Sequence, residues 1–429
     1  MRILPEDRRV LDALEAREAQ IVERAVDWCA INSGSRHIAG LEKQKLILAE
    51  LLDDLPGELR HRALTASPEV ADDGTLRHQP HTDALLMTVR PGAPVQVVLT
   101  GHYDTVYPAE SVFQKVVARD DGALNGPGIA DMKGGVSVML AALEEFERHP
   151  LRDRVGYRVL LSPDEEIGSL GSGAVLAEIG RLGHVGLTYE PALSDGTLAG
   201  ARKGSGNFHL VVKGKAAHAG RDFALGRNAI AAAAELACRL HALNGVHEGV
   251  TVNVAKISGG APLNVVADNA VVRFNVRVPD AEGAAWIDRA IDEVCARPPF
   301  EGISIHRHGG FTRPAKPFDA SQQALFGAVK AVGDLLGQPI GWKPSGGVCE
   351  GNNLYAVGLP NVDTLGVRGG DIHSEAEYAW PQSFVERAQL SALILMKLAS
   401  GEIDAAGIRA LRDAGPASTN DRALAEETE

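Results

Sequence analysis

The sequence predicts an α/β protein, in which a helix-covered, mostly parallel sheet is interrupted by a smaller α+β domain of two layers. The chain has 429 residues, more than one compact core usually holds, so two domains are expected. Strand and helix patterns alternate up to about residue 200, as they do in parallel sheets. From 201 to 312 the predicted order is β-α-β-β-α-β, the split motif of a ferredoxin-like sandwich.

The first part of the chain begins with helices. Apolar residues recur at helical spacing from Glu6 to Ile31, and a second helix is expected from Leu41 to Leu52. Short apolar runs bounded by glycine and proline then predict buried strands. The remaining elements of this part are strands at Ala84–Val89 and Val95–Thr100, a helix at Lys133–Arg148, a strand at Gly156–Leu161, a helix at Ser172–Ile179 and a strand at Val185–Tyr189.

The segment 201–312 is predicted to be an inserted second domain. Its strands are expected at Asn207–Val212, Thr251–Ile257, Ala270–Val278 and Ile303–His308, and its helices at Asn228–Leu243 and Glu282–Ala296. Residues 1–200 and 313–429 would then form the larger, catalytic domain together. The polar stretch from Gly415 onward is predicted to be a frayed tail.

Composition and charge exclude several classes of partner. The net charge of −13 and the lack of a clustered run of Lys and Arg argue against nucleic acid and anionic membranes. The charged N-terminus and the absence of a long apolar window predict neither a signal peptide nor a membrane span. The four cysteines are widely separated, which predicts no disulfide framework and favours a cytoplasmic location.

Histidine and carboxylate residues gather where predicted strands end. The string GHYD places His102 and Asp104 two residues apart, so that Asp104 can orient a metal-bound His102. Glu165, Glu166 and Glu190 also follow predicted strands, at the sheet edge where ligands bind in folds of this kind. Taken singly, these residues could equally form a surface pair or a solvated acidic turn.

Two further candidates lie in glycine-rich strings. Asp131 lies in GPGIADMKGG just before a predicted helix, where an N-cap aspartate is the ordinary alternative. His373 lies in GGDIHSEAEY, far along the chain. Two histidines and three carboxylates are a donor set that suits Zn²⁺, with Mn²⁺ or Co²⁺ as alternatives. The set consists of His102, Asp131, Glu166, Glu190 and His373.

The strings GHYDTVY, GPGIADMKGG, SPDEEIGSLGS, YEP and HSEAEY, in this order and at these intervals, resemble the M20 family of metallopeptidases. This family includes glutamate carboxypeptidase, acetylornithine deacetylase and succinyl-diaminopimelate desuccinylase, and the resemblance covers nearly the whole chain. It implies two divalent metals and a cis peptide bond after the bridging aspartate. The implied roles are His102 and Glu190 on one metal, Glu166 and His373 on the other, Asp131 bridging them, Asp104 supporting His102, and Glu165 as general acid/base.

The resemblance also matches 201–312 with the family's lid and dimerisation domain. It implies that His218, in GKAAHAG, reaches the active site of a partner subunit and stabilises an oxyanion there. It further implies that Asn264 and Arg277 bind a substrate carboxylate, a task that suits the arginine fork. An ordinary loop histidine and a structural salt bridge are the alternatives for His218 and Arg277.

One string departs from the family pattern. Where many relatives read G-G-x-S/T-D before the last histidine, this chain reads GGVCE from Gly346 to Glu350. Gly347 is therefore expected in the substrate pocket. The thiol of Cys349 and the side chain of Glu350, which is longer than the aspartate of the family pattern, would alter the floor of this pocket.

The predicted activity is hydrolysis of an amide bond in a small molecule or short peptide that bears a free carboxylate. A carboxypeptidase or an N-acyl amino acid deacylase fits best, acting as a homodimer that pairs through the lid. A dipeptidase or aminohydrolase with the same site is the alternative, and a non-catalytic metal-binding homologue ranks lower. A dinucleotide or serine enzyme is disfavoured, because GPG at 126–128 lacks a third glycine and GSLGSG lacks the G-x-S-x-G spacing.

Overall fold

The computed structural model describes residues 1–414, so the stretch predicted to be a frayed tail lies outside the described residues. Among the residues it describes, no helix is both long and apolar enough to cross a membrane. All four cysteines are free thiols, and Cys29 and Cys349 are buried.

A six-stranded sheet forms the centre of the larger part of the molecule. In spatial order its strands are Glu58–Arg62, Ala84–Val89, Val155–Ser162, Val95–His102, Val185–Thr188 and Asn361–Val362. The last four strands are parallel to one another, whereas the first two each pair antiparallel with their neighbours. The predicted helix-covered, mostly parallel sheet is therefore confirmed.

Both faces of this sheet are covered by helices, because alternate residues of one strand enter different cores. Leu85 and Met87 pack into a large core, whereas Leu86 packs into a smaller core on the opposite face. The helices that contribute to the large core are Pro5–Ala16, Glu18–Cys29, Ile38–Asp53, Lys133–Phe146, Ala320–Leu335, Gln382–Ser400 and Ala405–Asp413. Gly173–Gly180 and Glu350–Ala356 contribute to the smaller one.

The opening helix is interrupted, which corrects the prediction of one helix from Glu6 to Ile31. The chain leaves the helical conformation at Arg17, whose φ and ψ are −104° and 8°. The helix before this break packs mainly on Gln382–Ser400 and the helix after it mainly on Lys133–Phe146. The Arg17 guanidinium donates hydrogen bonds to two glutamates of Lys133–Phe146. The helical spacing of apolar residues continues across the break. The sequence pattern therefore did not indicate that the two helices pack on different neighbours.

A second, four-stranded antiparallel sheet is built from the middle of the chain. Its spatial order is Thr251–Gly259, Asn269–Val278, Gly204–Lys213 and Ser304–Arg313. The helices Ala229–His241 and Ala281–Cys295 pack on one face and share a separate hydrophobic core with it. We call these four strands and two helices the smaller unit. Its elements follow the predicted order, while the domain boundaries at 201 and 312 stay a prediction.

The two chain segments that connect the smaller unit to the larger part are bonded to each other. Arg202 and Lys316 exchange both backbone hydrogen bonds, at 2.8 and 2.9 Å. Their side chains also share one buried carboxylate: Arg202 Nε lies 2.7 Å and Lys316 Nζ 2.6 Å from Asp363 Oδ2. Backbone hydrogen bonds and a buried ion-pair network thus hold the two connecting segments together beside the central sheet.

Short strands and 3₁₀ turns complete the described chain. The short strands are Ser67–Val70 with Leu76–Gln79, Leu198–Arg202 with Trp342–Ser345, and the group Val117–Ala118, Leu124–Asn125, Ala192–Leu193, Arg368–Gly370 and Tyr378–Ala379. The 3₁₀ turns are Arg152–Arg154, Glu165–Ile167 and Phe223–Leu225.

Candidate metal centre and substrate cavity

Three of the predicted ligands form one buried group at the carboxyl edge of the central sheet. His102 is the last residue of its strand, and Glu190 follows the neighbouring parallel strand. His102 Nε2 lies 3.1 Å from Asp131 Oδ1 and 3.9 Å from Glu190 Oε1. Parallel strands end at the same edge, which is why residues so far apart in sequence meet here.

A second group shares Asp131 with the first. His373 Nε2 lies 3.2 Å from Asp131 Oδ2 and 3.2 Å from Glu166 Oε2. The two carboxylate oxygens of Asp131 thus face two different histidines. Within the described chain, these are the two places where three or more potential ligand atoms lie within 4.8 Å of one another. Asp131 is therefore placed between two candidate metal positions.

Asp131 is not the helix N-cap that the ordinary interpretation of its string suggested. The helix begins at Lys133 and Met132 occupies the cap position. The peptide bond between Asp131 and Met132 is cis, as the family resemblance implied. The Asp131 side chain is directed to the two histidines instead of to the helix backbone.

The electrostatics of these side chains fit divalent cations. Burial and the Asp131 charge raise the pKa of Glu166 to about 8, and burial raises the pKa of Glu190 well above its usual range. Hydrogen bonds to Asp131 and Glu166 raise the pKa of His373 to about 11. Glu166 Oε1 is buried and has no hydrogen-bond partner within residues 1–414. Because buried carboxylates are costly without neutralisation, nitrogen and carboxylate donors in this arrangement suit a pair of divalent metals.

Asp104 joins His102 to the two adjacent glutamates. His102 Nδ1 lies 3.0 Å from the Asp104 carbonyl oxygen and 3.3 Å from its carboxylate Oδ1. The same carboxylate accepts a hydrogen bond from the Ser35 hydroxyl at 2.7 Å, and from the backbone N–H groups of Glu165 and Glu166 at 3.2 Å each. Asp104 thus contacts both the imidazole and the start of the 3₁₀ turn that carries both glutamates, a position from which a carboxylate can orient a histidine.

Glu165 is held by an arginine that sequence reasoning did not identify. Arg313, the last residue of its strand in the smaller unit, is buried and lies 2.7 Å from Glu165 Oε1 through Nη2. Its Nη1 donates to Asn353 Oδ1 at 2.6 Å. Since Arg313 belongs to the strand that returns to the larger part, the position of Glu165 depends on the smaller unit.

A cavity of about 620 Å³ connects the candidate metal positions with the smaller unit. Glu165 and both ligand groups contribute to its lining, together with Arg277 and Gly347. Arg277 donates through Nε to Asn275 Oδ1 at 2.9 Å, but its buried Nη1 has no hydrogen-bond partner in the part of the chain that the structure describes. Arg277 is therefore available to an anionic group of a substrate.

His218 and Asn264 lie outside this cavity. They are neighbours on the exposed end of the smaller unit, where the Ala219 N–H donates to the Asn264 carbonyl oxygen at 2.9 Å. His218 Nδ1 accepts from the backbone N–H groups of Gly220 and Arg221. The structure thus does not bring these two predicted residues to the metal-ligand groups of the same chain.

Cys349 and Glu350 are buried, and neither belongs to the residues that line the cavity. Cys349 Sγ accepts a hydrogen bond from the Gly351 N–H, and the Ser162 hydroxyl donates to Glu350 Oε1 at 2.5 Å. Burial raises the pKa of Glu350 to about 8. Gly347 and Val348, and not the two residues after them, face the cavity. The prediction that Cys349 and Glu350 alter the floor of the pocket is therefore wrong, because both side chains are buried away from its lining.

Comparisons with known proteins agree with this geometry. Residues 98–397 match the model of peptidase family M20/M25/M40. Carboxypeptidase G2 of a Pseudomonas species is 27% identical over 310 residues, which cover 71% of this chain and 74% of the relative. Succinyl-diaminopimelate desuccinylase of Verminephrobacter eiseniae is 27% identical over 300 residues, covering 66% and 73%.

Solved structures share the fold. A tripeptidase of Staphylococcus aureus superposes with a TM-score of 0.68 at 23% identity, covering 89% of this chain and 98% of that one. Human carnosine dipeptidase 1 superposes with a TM-score of 0.68 at 14% identity, covering 92% and 100%. At these identities the structural matches show the fold alone.

Proposed function

The chain belongs to peptidase family M20/M25/M40 and is a metal-dependent hydrolase, and we propose that it cleaves the amide bond between an acyl or peptidyl group and an amino acid with a free carboxylate. One observation carries this proposal: two ligand groups that share Asp131 lie in the same cavity as Glu165 and a guanidinium without a full set of partners. A carboxypeptidase and an N-acyl amino acid deacylase both act on such substrates.

The proposed metal ligands are His102, Asp131 and Glu190 for one ion and Asp131, Glu166 and His373 for the other. Divalent ions held there would polarise the amide carbonyl and make a water molecule more acidic. Neither Glu165 nor Asp104 belongs to the two groups. We propose that Glu165 transfers a proton and that Asp104 orients His102.

Glu165 is proposed to carry the proton. Its carboxylate lines the cavity next to Glu166, and Arg313 holds it through Oε1. In this position it would accept a proton from the attacking water and donate it to the leaving amine. The leaving amine becomes a free amino acid, whose carboxylate is proposed to be bound by Arg277, with Gly347 exposing its backbone nearby.

The test of this proposal compares matched substrates on the wild-type enzyme and on Arg277→Gln. The panel contains N-acyl amino acids, acyl-glutamates and dipeptides, each as the free acid and as the C-terminal amide. We expect the wild type to prefer the free acids by about 10–100-fold in kcat/KM, because a hydrogen-bonded charge pair contributes about 1.5–3 kcal/mol. Arg277→Gln should remove most of this preference, mainly through KM.

The control for the arginine substitution is Arg289→Gln, which changes an exposed arginine of the same unit. It should leave the preference for free acids intact. Equal rates on free acids and amides by the wild type would contradict the carboxylate proposal. Hydrolysis of dipeptides alone, with no N-acyl amino acid accepted, would assign the site to a dipeptidase instead.

We further propose that residues 201–312 act as a lid and pair two chains into a dimer, so that His218 serves the partner's site. Its loop carries exposed apolar side chains, since Phe223 and Leu225 are 66% and 60% exposed, and Leu263 beside Asn264 is fully exposed. A second copy of the chain would cover this surface. The proposed role of His218 is to stabilise the oxyanion.

Subunit mixing tests whether His218 acts across a dimer. His218→Ala and Glu165→Gln should each be nearly inactive, yet a mixed dimer would contain one site with both Glu165 and the partner's His218. After subunit exchange we expect about one quarter of wild-type activity, because half of the dimers are mixed and each has one intact site. No recovery, with exchange verified by mass, would place His218 outside the partner's reaction.

A further inference from the structure

Glu377 lies four residues after His373 and has no part in the reaction proposed above. Its side chain is completely buried. Oε1 accepts the backbone N–H groups of Ala130 and Asp131 at 2.9 and 3.0 Å, and Oε2 accepts the N–H of Gly128 at 3.1 Å. One carboxylate thus accepts three backbone N–H groups from the loop that carries the shared ligand candidate Asp131.

The same residue connects this loop to two other ligand-bearing segments. The Tyr107 hydroxyl, five residues after His102, lies 2.7 Å from Glu377 Oε2 and 2.8 Å from the Ser374 carbonyl oxygen, so its proton is shared between two acceptors. The Glu377 carbonyl oxygen accepts from the Gly126 N–H at 3.2 Å and from Asn125 Nδ2 at 2.7 Å. The segments after His102, before Asp131 and after His373 therefore meet at one buried side chain.

We propose that Glu377 is a positioning residue that sets the orientation of Asp131 and thereby the affinity of both metal positions. The Asp131 N–H is bound to Glu377 on one side of the residue, while Oδ1 and Oδ2 face His102 and His373 on the other. A small rotation of this backbone would displace one ligand atom in each group. The inference rests on the proposed function in one respect, namely that Asp131 binds the metals.

Hydrogen bonds to a charged acceptor are stronger than neutral ones, so a carboxylate is suited to this task. Three backbone N–H groups and the Tyr107 hydroxyl are directed to the two oxygens of Glu377, so its surroundings require an acceptor at both atoms. Partners of this kind behind a ligand commonly change metal affinity by about 10–100-fold. A side chain that served only to stabilise the fold would change the unfolding temperature without changing metal affinity selectively.

The test is Glu377→Gln, which keeps the shape of the side chain. The amide replaces one acceptor oxygen by an NH₂ donor, which must then face either Gly128 or the pair Ala130 and Asp131. Metal is removed from the purified protein, and the affinity for Zn²⁺ is measured by competition with a chromophoric chelator. We expect binding about 10–100-fold weaker than in the wild type, alongside a lower thermal midpoint of the metal-free protein.

The matched control is Asp319→Asn. The Asp319 carboxylate likewise accepts a backbone N–H, from Gln322, and hydroxyl hydrogen bonds from Ser321 and Tyr355, but it caps a helix and does not contact the ligand groups. It should lower the thermal midpoint and leave Zn²⁺ affinity within about threefold of the wild type, a change below 1 kcal/mol. The positioning role would be overturned if Glu377→Gln also kept its Zn²⁺ affinity within about threefold of the wild type while losing as much thermal stability as Asp319→Asn.

A milder variant keeps the inference testable if Glu377→Gln does not fold. Tyr107→Phe removes the hydroxyl whose proton Glu377 Oε2 shares with the Ser374 carbonyl oxygen, and it should weaken Zn²⁺ binding by about fivefold, as expected for one hydrogen bond. Unchanged affinity in Tyr107→Phe would then count against the network. If the wild type itself failed to bind Zn²⁺, the proposed metal centre would be refuted. The wild-type measurement therefore separates failure of the proposed function from failure of the positioning role.

Discussion

Replacing Glu165 by Gln is expected to lower kcat by about 10²–10⁴-fold while the metal content stays that of the wild type. The amide retains an oxygen that can accept the hydrogen bond from Arg313, now 2.7 Å from Oε1, so the side chain should keep its place. It has no basic group, however, and cannot take a proton from water. Because Glu165 belongs to neither ligand group, the metals should remain bound.

The neighbouring Glu166→Gln provides the contrast. Glu166 lies 3.2 Å from His373 and is proposed to be a ligand, so its substitution should reduce metal content together with activity. Steady-state kinetics and elemental analysis of both variants separate the two adjacent glutamates. Substantial turnover by Glu165→Gln, at full metal content, would show that another group carries the proton.

Removing the metals is expected to abolish amide hydrolysis, with a loss of more than about 10³-fold, since charge stabilisation by metal ions contributes several kcal/mol. Readdition of Zn²⁺ should restore activity, because two histidines and three carboxylates form a borderline donor set, and Mn²⁺ and Co²⁺ are the next candidates. The measurement is activity against metal content during dialysis with a chelator and after each readdition.

The metal-free protein should stay folded but unfold at a lower temperature. Its hydrophobic cores are built without the ligand groups, whereas bound metal stabilises the folded state by mass action. Circular dichroism before and after chelation provides the control that activity was not lost by unfolding. Hydrolysis that persists after the metal content has fallen to background would refute metal dependence in this enzyme.

Two of the five ligand candidates could be placed from the sequence because their positions follow from strand order. His102 and Glu190 each come directly after or at the end of a buried apolar run, and parallel strands end at one edge. The spacing within GHYD likewise predicted that Asp104 lies beside His102, and the two residues are in contact. Such features depend on neighbours in the chain or on one rule of topology.

The contacts of Arg313 and Glu377 could not be predicted from the sequence. Glu377 lies within HSEAEY, but its partners Gly128, Ala130 and Asp131 are about 250 residues earlier in the chain. They donate through backbone N–H groups, which no pattern of residue types can indicate. In the sequence nothing distinguishes Arg313 from other strand residues. Its contact with Glu165 exists only because its strand ends beside that residue in the folded chain. Backbone donors and distant ion pairs are created by packing, so only the folded chain displays them.

By itself, the sequence determined the helix-covered sheet, the inserted β-α-β-β-α-β order and the set of five metal-ligand candidates, because apolar period and motif order are local properties of the chain. The tertiary structure alone decided that Glu165 is paired with Arg313, and that His218 and Asn264 lie away from the cavity of their own chain. These relations depend on how distant segments pack, and packing joins residues irrespective of their separation in sequence.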